Sequence, residues 1–180
     1  MNRATAITLN VLALYGISLV LAVAFAAQLW LGELPCPLCM LQRLQFALLA
    51  VGPLLNIRFG PRPGHYALSL LAALAGAGFA LRQVALHILP GDPGYGSALF
   101  GVHYYSWAVV AFTGAVALIG LMLLCERQFA ASGPETGPIS RFARLAIALV
   151  LLMTALNVLS TVLMCGFAAC PDDPTSYHLL

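Results

Sequence analysis

Lysine is missing altogether from this 180-residue chain, and only 8% of its residues are charged, where a soluble domain carries roughly 25%. So few charges cannot coat a water-facing surface, which excludes an ordinary soluble protein. The missing lysine itself reads as a compositional bias without functional content. What is present instead is hydrophobicity, 62% of the chain. It is gathered into five runs near residues 5–31, 38–57, 65–89, 105–125 and 143–164, each close to the roughly 20 apolar residues that span a bilayer. The fold class expected is an all-α integral membrane protein, a bundle of about five transmembrane helices forming a single domain over residues 1–180. Little sequence remains for a separate soluble domain, so any chemistry must sit in short loops or at helix ends. The first run follows Arg3 and ends among Ala22, Ala24 and Ala26, as a secretory signal would. It exceeds the usual h-region of about 7–15 residues, and is expected to remain as a span.

A second scarcity sets the orientation. The segments around 32–37, 90–103 and 166–180 hold Glu33, Asp92, Asp172 and Asp173 but no arginine, whereas Arg3, Arg58, Arg62, Arg127, Arg141 and Arg144 fall in the alternate set of termini and loops. Cytoplasmic loops carry the basic excess, so the expected topology is N-in and C-out.

Five cysteines are present. On this topology Cys36, Cys39, Cys165 and Cys170 share the outer side, where disulfides persist. Cys125 ends an inward-going span and is expected to stay a reduced, packed or interfacial thiol. Cys36 and Cys39 form a CxxC where the second span begins, with Pro35 and Pro37 favouring a helix start there. Free amides and the positive dipole end at that position favour a thiolate, the reactive form of cysteine. Arg43 stands four residues beyond Cys39, on the same face about one turn deeper. A charge at a helix centre costs roughly 2.5–3.5 kcal/mol on insertion scales, less near the edge, so an arginine there points to function. The bland alternative is that it snorkels to lipid phosphate.

Arg82 lies at a comparable depth on the third span, with Gln83 beside it and His87 about a turn nearer the surface. Two polar patches at one depth predict a common pocket; the alternative for Arg82 is a structural tie between helix ends. Residues 90–96, with their prolines and glycines, predict an irregular loop. Trp30, Tyr104, Tyr105 and Trp107 are read as an interface belt. Gly166 is expected to end the fifth span, with Pro171 and Pro174 keeping the tail extended. Cys165 and Cys170 can close a small loop there, either a static staple or a second exchangeable disulfide.

The run Leu34-Pro35-Cys36-Pro37-Leu38-Cys39, followed by Gln42-Arg43, resembles the disulfide bond formation protein B (DsbB) family, quinone-linked thiol oxidases of bacterial inner membranes. The resemblance covers the layout of the first four spans, and its specific part is about ten residues around the CxxC. It implies that Cys39 lies against a quinone, ubiquinone or menaquinone, that Arg43 helps bind or polarise it, and that Cys36 is the exchanging partner. It also implies a periplasmic thioredoxin-like dithiol partner similar to DsbA, contact with the membrane quinone pool, an inner-membrane location with the active cysteines facing the periplasm, and no nucleic-acid partner. Arg82, Gln83 and His87 are candidate quinone contacts by depth alone. The family carries its second cysteine pair in the loop between the third and fourth spans, and here residues 90–103 contain none. Cys165 and Cys170, after a fifth span, are expected to take its place.

Three rival readings use the same residues. Cys36, Cys39, Cys165, Cys170 and His87 could build a thiolate-rich site for zinc or Cu(I) in a metal-binding or transport protein. His87 and His103 could ligate a haem, although Met40 after Cys39 rules out a CxxCH attachment. The chain could also be a scaffold with stapled loops.

Overall fold

The computed structural model describes residues 1–130, 139–166 and 168–179. Helix α1 spans Arg3–Trp30, α2 Pro37–Leu49, α3 Val51–Phe59, α4 Pro63–Leu86, α5 Tyr104–Leu123 and α6 Arg141–Cys165. Among the described residues five helices are long and apolar enough to cross a membrane, with α2 and α3 together forming the span Pro37–Phe59. The observed spans match the apolar runs to within about three residues at each end, because the runs stop where capping chemistry begins. Asn2 accepts from the Thr5 amide at 2.8 Å to open α1, and Ser140 accepts from the Ala143 amide at 3.1 Å to open α6. Gly166 closes α6 with a positive φ of 61°, as its position predicts.

The α2–α3 junction has a local cause. Pro53 has no amide hydrogen and leaves the Leu49 carbonyl without its helical donor. The Ser69 hydroxyl of α4 donates to that carbonyl at 2.7 Å, so the break is satisfied by a neighbouring helix. Gly52 permits the approach, since a Cβ there would overlap the His65 carbonyl and the Ser69 hydroxyl.

Helix α4 packs on α2 and α5, and α1 packs on α6 and α3. Ala72, Ala73, Gly76 and Ala80 line the buried face of α4, and such small residues let helices approach closely. A Cβ on Gly76 would overlap the Phe112 ring, which stacks on Phe46 with centroids 4.1 Å apart. The outward faces are apolar too: Leu19, Leu71, Val110, Leu118 and Leu151 are all more than half exposed. A surface of this kind suits hydrocarbon as solvent.

At the end remote from the CxxC, a buried polar network ties α1, α3 and α4 to a 3-10 turn over Glu126–Phe129. Asn56 donates to Asn10 at 3.0 Å, Asn10 donates to the Tyr66 hydroxyl at 2.9 Å, and Tyr66 donates to Gln128 at 2.9 Å. Among the described residues no buried side-chain nitrogen or oxygen is left without a partner, so this network locks the helix ends together.

Residues 90–96 form the irregular loop that their prolines and glycines predict. Beyond them, Ala98–Leu99 and Val102–His103 pair as the antiparallel strands β1 and β2, a hairpin that the sequence did not announce. Phe100 and Gly101 turn the hairpin with φ of 53° and 77°, the positive values that a two-residue hairpin turn requires.

Candidate functional site

The CxxC sits where its sequence placed it, at the mouth of α2. Cys36 is the N-cap and Pro37 the first helical residue. The Cys39 amide donates to Cys36 Sγ at 3.1 Å, so a sulfur fills the capping position that a serine or aspartate oxygen usually holds. The two cysteines form a disulfide with Cα atoms 4.9 Å apart. Their environments differ. Cys36 is 6% exposed, while Cys39 is half-buried and lines a cavity of about 370 Å³ in the cleft between α1 and α5.

Leu19, Val20, Val23 and Ala27 of α1 face Trp107, Ala108 and Ala111 of α5 across this cavity, and Phe46 also contributes to its wall. Its polar groups gather beside Cys39: Gln42, Arg43 and Gln83. Residues 95–99 form its roof. Tyr95 donates to the Leu34 carbonyl at 2.7 Å, and Glu33 accepts from the Ser97 amide at 2.8 Å and from the Ser97 hydroxyl. Withdrawal of the Tyr95 phenol from water, reinforced by the nearby Asp173 and Glu33 carboxylates, raises its pKa above the ordinary tyrosine value. The phenol therefore stays neutral and keeps its proton on Leu34.

Gln83 is 1% exposed and touches both sulfurs. Its Nε2 donates to Cys36 Sγ at 3.4 Å and to Cys39 Sγ at 3.5 Å, while its Oε1 accepts from Gln42 Nε2 at 2.7 Å. Gln42 thereby fixes which way the Gln83 amide faces, with its N–H groups toward sulfur. Arg43 reaches α1 rather than Cys39: it donates to Gln28 Oε1 at 2.6 Å and to the Ala24 carbonyl at 2.9 Å, and its guanidinium lies 5.4 Å from the Phe25 ring centroid. It stands at the cavity wall, bonded within the protein and not extended to lipid phosphate.

The pocket expected from depth matching is only half present. Gln83 belongs to it, but Arg82, about 100° further round the helix, is exposed and outside the cavity. Depth along a helix says nothing about azimuth. His87 also lies outside: its Nδ1 is 3.0 Å from Asp92 Oδ1, and its ring stacks on Tyr105. Tyr104, Tyr105 and Trp107, read from sequence as an interface belt, line the cavity, whereas Trp30 is 85% exposed. Sequence reasoning missed Gln28, Gln42 as a contact, and Tyr95. A usable signal existed, since Gln28, Gln42 and Gln83 are amides in otherwise apolar spans.

The tail returns to the same end of the bundle. Cys165 and Cys170 form a second disulfide with Cα atoms 4.8 Å apart. Leu34, Met164 and Cys165 make a small buried cluster against which Met40, Cys170 and Tyr177 pack, so this disulfide lies beside residues on either side of the CxxC. Cys165 is 5% exposed, whereas Cys170 is half-buried. Cys125, at the opposite end, is a free and partly exposed thiol.

The profile of the family described as disulfide bond formation protein DsbB matches residues 6–97, which contain the CxxC, Arg43 and Gln83. A disulfide bond formation protein B of Xanthomonas axonopodis pv. citri is 47% identical over 77 residues, covering 40% of this chain and 45% of the relative. That of Chromobacterium violaceum is 47% identical over 79 residues, covering 39% and 46%. That of Stutzerimonas stutzeri is 33% identical over 96 residues, covering 51% and 59%. The chain thus spans about half the length of the curated relatives it matches, and Cys165 and Cys170 lie beyond the profile match. No solved structure matches the chain. With the profile covering just over half of the sequence, and the helical membrane bundle and its capped CxxC in keeping with it, the chain belongs to the disulfide bond formation protein B family.

Proposed function

We propose that this protein is a membrane thiol oxidase that passes electrons from a reduced periplasmic thioredoxin-like protein, through Cys165–Cys170 and then Cys36–Cys39, to a quinone. The observation that carries this reading is that Cys39 and Arg43 line one apolar cavity, while a buried, pre-oriented amide donates to the sulfurs. A quinone suits the cavity in kind, with apolar walls for its ring and chain and the Arg43 guanidinium for a carbonyl oxygen. When bound, it supplies a two-electron acceptor.

The unequal burial of the sulfurs supports an order of events. The more accessible Cys170 is the point of attack: a partner thiolate bonds to its sulfur and displaces the Cys165 thiolate. The partner's second thiolate then releases Cys170, leaving the partner oxidised and the tail pair reduced. Cys165 attacks Cys36 and displaces the Cys39 thiolate into the cavity wall, and Cys170 closes back on Cys165 to free Cys36. Cys36 and Cys39 then rejoin as a disulfide, giving two electrons and two protons to the acceptor. Each exchange is an attack of thiolate on disulfide. The Gln83 N–H group beside Cys39 Sγ favours the thiolate there. Arg43 would hold a carbonyl oxygen of the acceptor and supply positive charge there. Arg82 and His87, outside the cavity, are not assigned a contact with the quinone.

The test uses purified full-length protein, a reduced thioredoxin-like dithiol protein and a short-chain ubiquinone, with quinone reduction followed by absorbance. Cys39→Ser should abolish reduction. Cys165→Ser with Cys170→Ser should block oxidation of the protein dithiol while sparing oxidation of a small dithiol through Cys36 and Cys39. Undiminished turnover without Cys39 would sink the oxidase reading, and equal loss of both reactions in the tail variant would make that pair a staple.

A further inference from the structure

Gln28 is the only described residue that hydrogen-bonds to both the cavity arginine and the tail. It is 3% exposed, and its amide is fully engaged. Oε1 accepts from Arg43 at 2.6 Å, and Nε2 donates to the Ser160 hydroxyl of α6 and to the Tyr177 hydroxyl, each at 2.8 Å. An amide has two N–H donors on one side and an oxygen on the other. The guanidinium, which only donates, takes the oxygen, and the two hydroxyls accept from the NH2 group and hold the amide in place against it. Were the amide reversed, its donors would point at a cation.

Tyr177 reaches Gln28 because the tail doubles back. After Gly166 the chain leaves α6, and it returns so that the His178 amide donates to the Met164 carbonyl at 3.2 Å and the Leu179 amide to Leu163 at 3.0 Å. The Cys165–Cys170 disulfide closes the base of this fold-back. Tyr177 packs on the cluster of Leu34, Met164 and Cys165, so it sits between the cluster that holds a tail cysteine and the arginine's partner.

We propose that Tyr177 is a positioning residue that, through Gln28, holds Arg43 at the cavity wall, and that it does so only while the Cys165–Cys170 disulfide keeps the tail folded. Opening that disulfide removes the loop closure that anchors the fold-back. Tyr177 then leaves Gln28 with one donor unpaired in a buried site, a cost that draws the Gln28 side chain away from Arg43 toward another acceptor. Arg43 loses its shortest bond, and the cavity loses a pre-oriented cation. The acceptor site is thereby linked to the redox state of the tail. The inference rests on the reading of the cavity as a quinone site.

The experiment uses full-length protein carrying Cys36→Ser and Cys39→Ser, so that quinone binds without being reduced. Binding of a short-chain ubiquinone is read from quenching of Trp107, which lines the cavity. Affinity is measured in a four-way cycle with the tail disulfide intact or removed by Cys165→Ser and Cys170→Ser, each with and without Tyr177→Phe. Opening the tail should weaken binding at least five-fold when Tyr177 is present and less than two-fold in Y177F. Equal weakening in both backgrounds, or none in either, overturns the coupling. Absence of quinone binding in the parent protein would instead refute the functional reading. The side-chain amide resonance of Gln28 then still decides the positioning role: it must shift on opening the tail with Tyr177 present and stay put in Y177F, and a shift in both overturns the proposal.

Discussion

At the scale of single residues, Gln83 shows how a neutral side chain can set cysteine chemistry. A disulfide sulfur is a weak acceptor and a thiolate a strong one, so an N–H group held near sulfur gains more from the reduced, ionised state. Gln83→Leu removes that donor and should slow alkylation of the reduced Cys39 near neutral pH about five-fold, the worth of one hydrogen bond of roughly 1 kcal/mol. The rate of alkylation of Cys39 against pH, measured with Cys36, Cys125, Cys165 and Cys170 replaced by serine, reads this directly; an unmoved profile would leave the amide a structural role only. The role of Gln83 is half legible in sequence. A polar residue in an apolar span is conspicuous, but its neighbour Arg82 is more so, and nothing local says which of two adjacent side chains turns inward. That choice belongs to the packing of α4 on α2 and α5.

At the scale of elements, the broken second span and the roof loop each carry a prediction. Ser69→Ala leaves the Leu49 carbonyl without the donor that replaces the one missing at Pro53. The expected loss is about 0.5–1.5 kcal/mol, read as a lower midpoint in reversible detergent unfolding. In the roof loop, the Gly94 amide at 2.7 Å and then His87 hold the exposed Asp92 carboxylate below its ordinary pKa. A depressed folded pKa means that the contribution is present above the unfolded value, near 3.9, and is lost as pH falls through the folded one. The Gly94 amide resonance should therefore titrate with its midpoint below the ordinary aspartate value, and Asp92→Asn should remove the transition. The loop's prolines and glycines announce turns, but the hairpin at 98–103 was not legible. Its turn pair Phe100-Gly101 lacks the asparagine or aspartate that usually marks positive φ.

For the whole molecule, the structure gathers Arg3, Arg58, Arg62, Arg127, Arg141 and Arg144 at the end remote from the CxxC, where α1, α4 and α6 begin and α3 and α5 end. The basic end is expected to face the cytoplasm. In intact cells treated with a reductant, a membrane-impermeant thiol reagent should label Cys170 and leave Cys125 unlabelled until the membrane is opened. Labelling of Cys125 from outside would reverse the orientation.

The sequence by itself determined the solvent, the number of spans and the start of α2. Apolar run length and a Pro-flanked cysteine cap are local properties that hold whatever surrounds them. Only the tertiary structure decided which polar residues meet. Gln28, Gln42, Arg43 and Gln83 come from three helices, and Tyr177 from a tail more than 130 residues beyond Arg43 in the chain. Whether these groups share a site depends on helix rotation and on the fold-back of the tail, which are fixed by side-chain packing between elements and leave no periodic trace along any one of them.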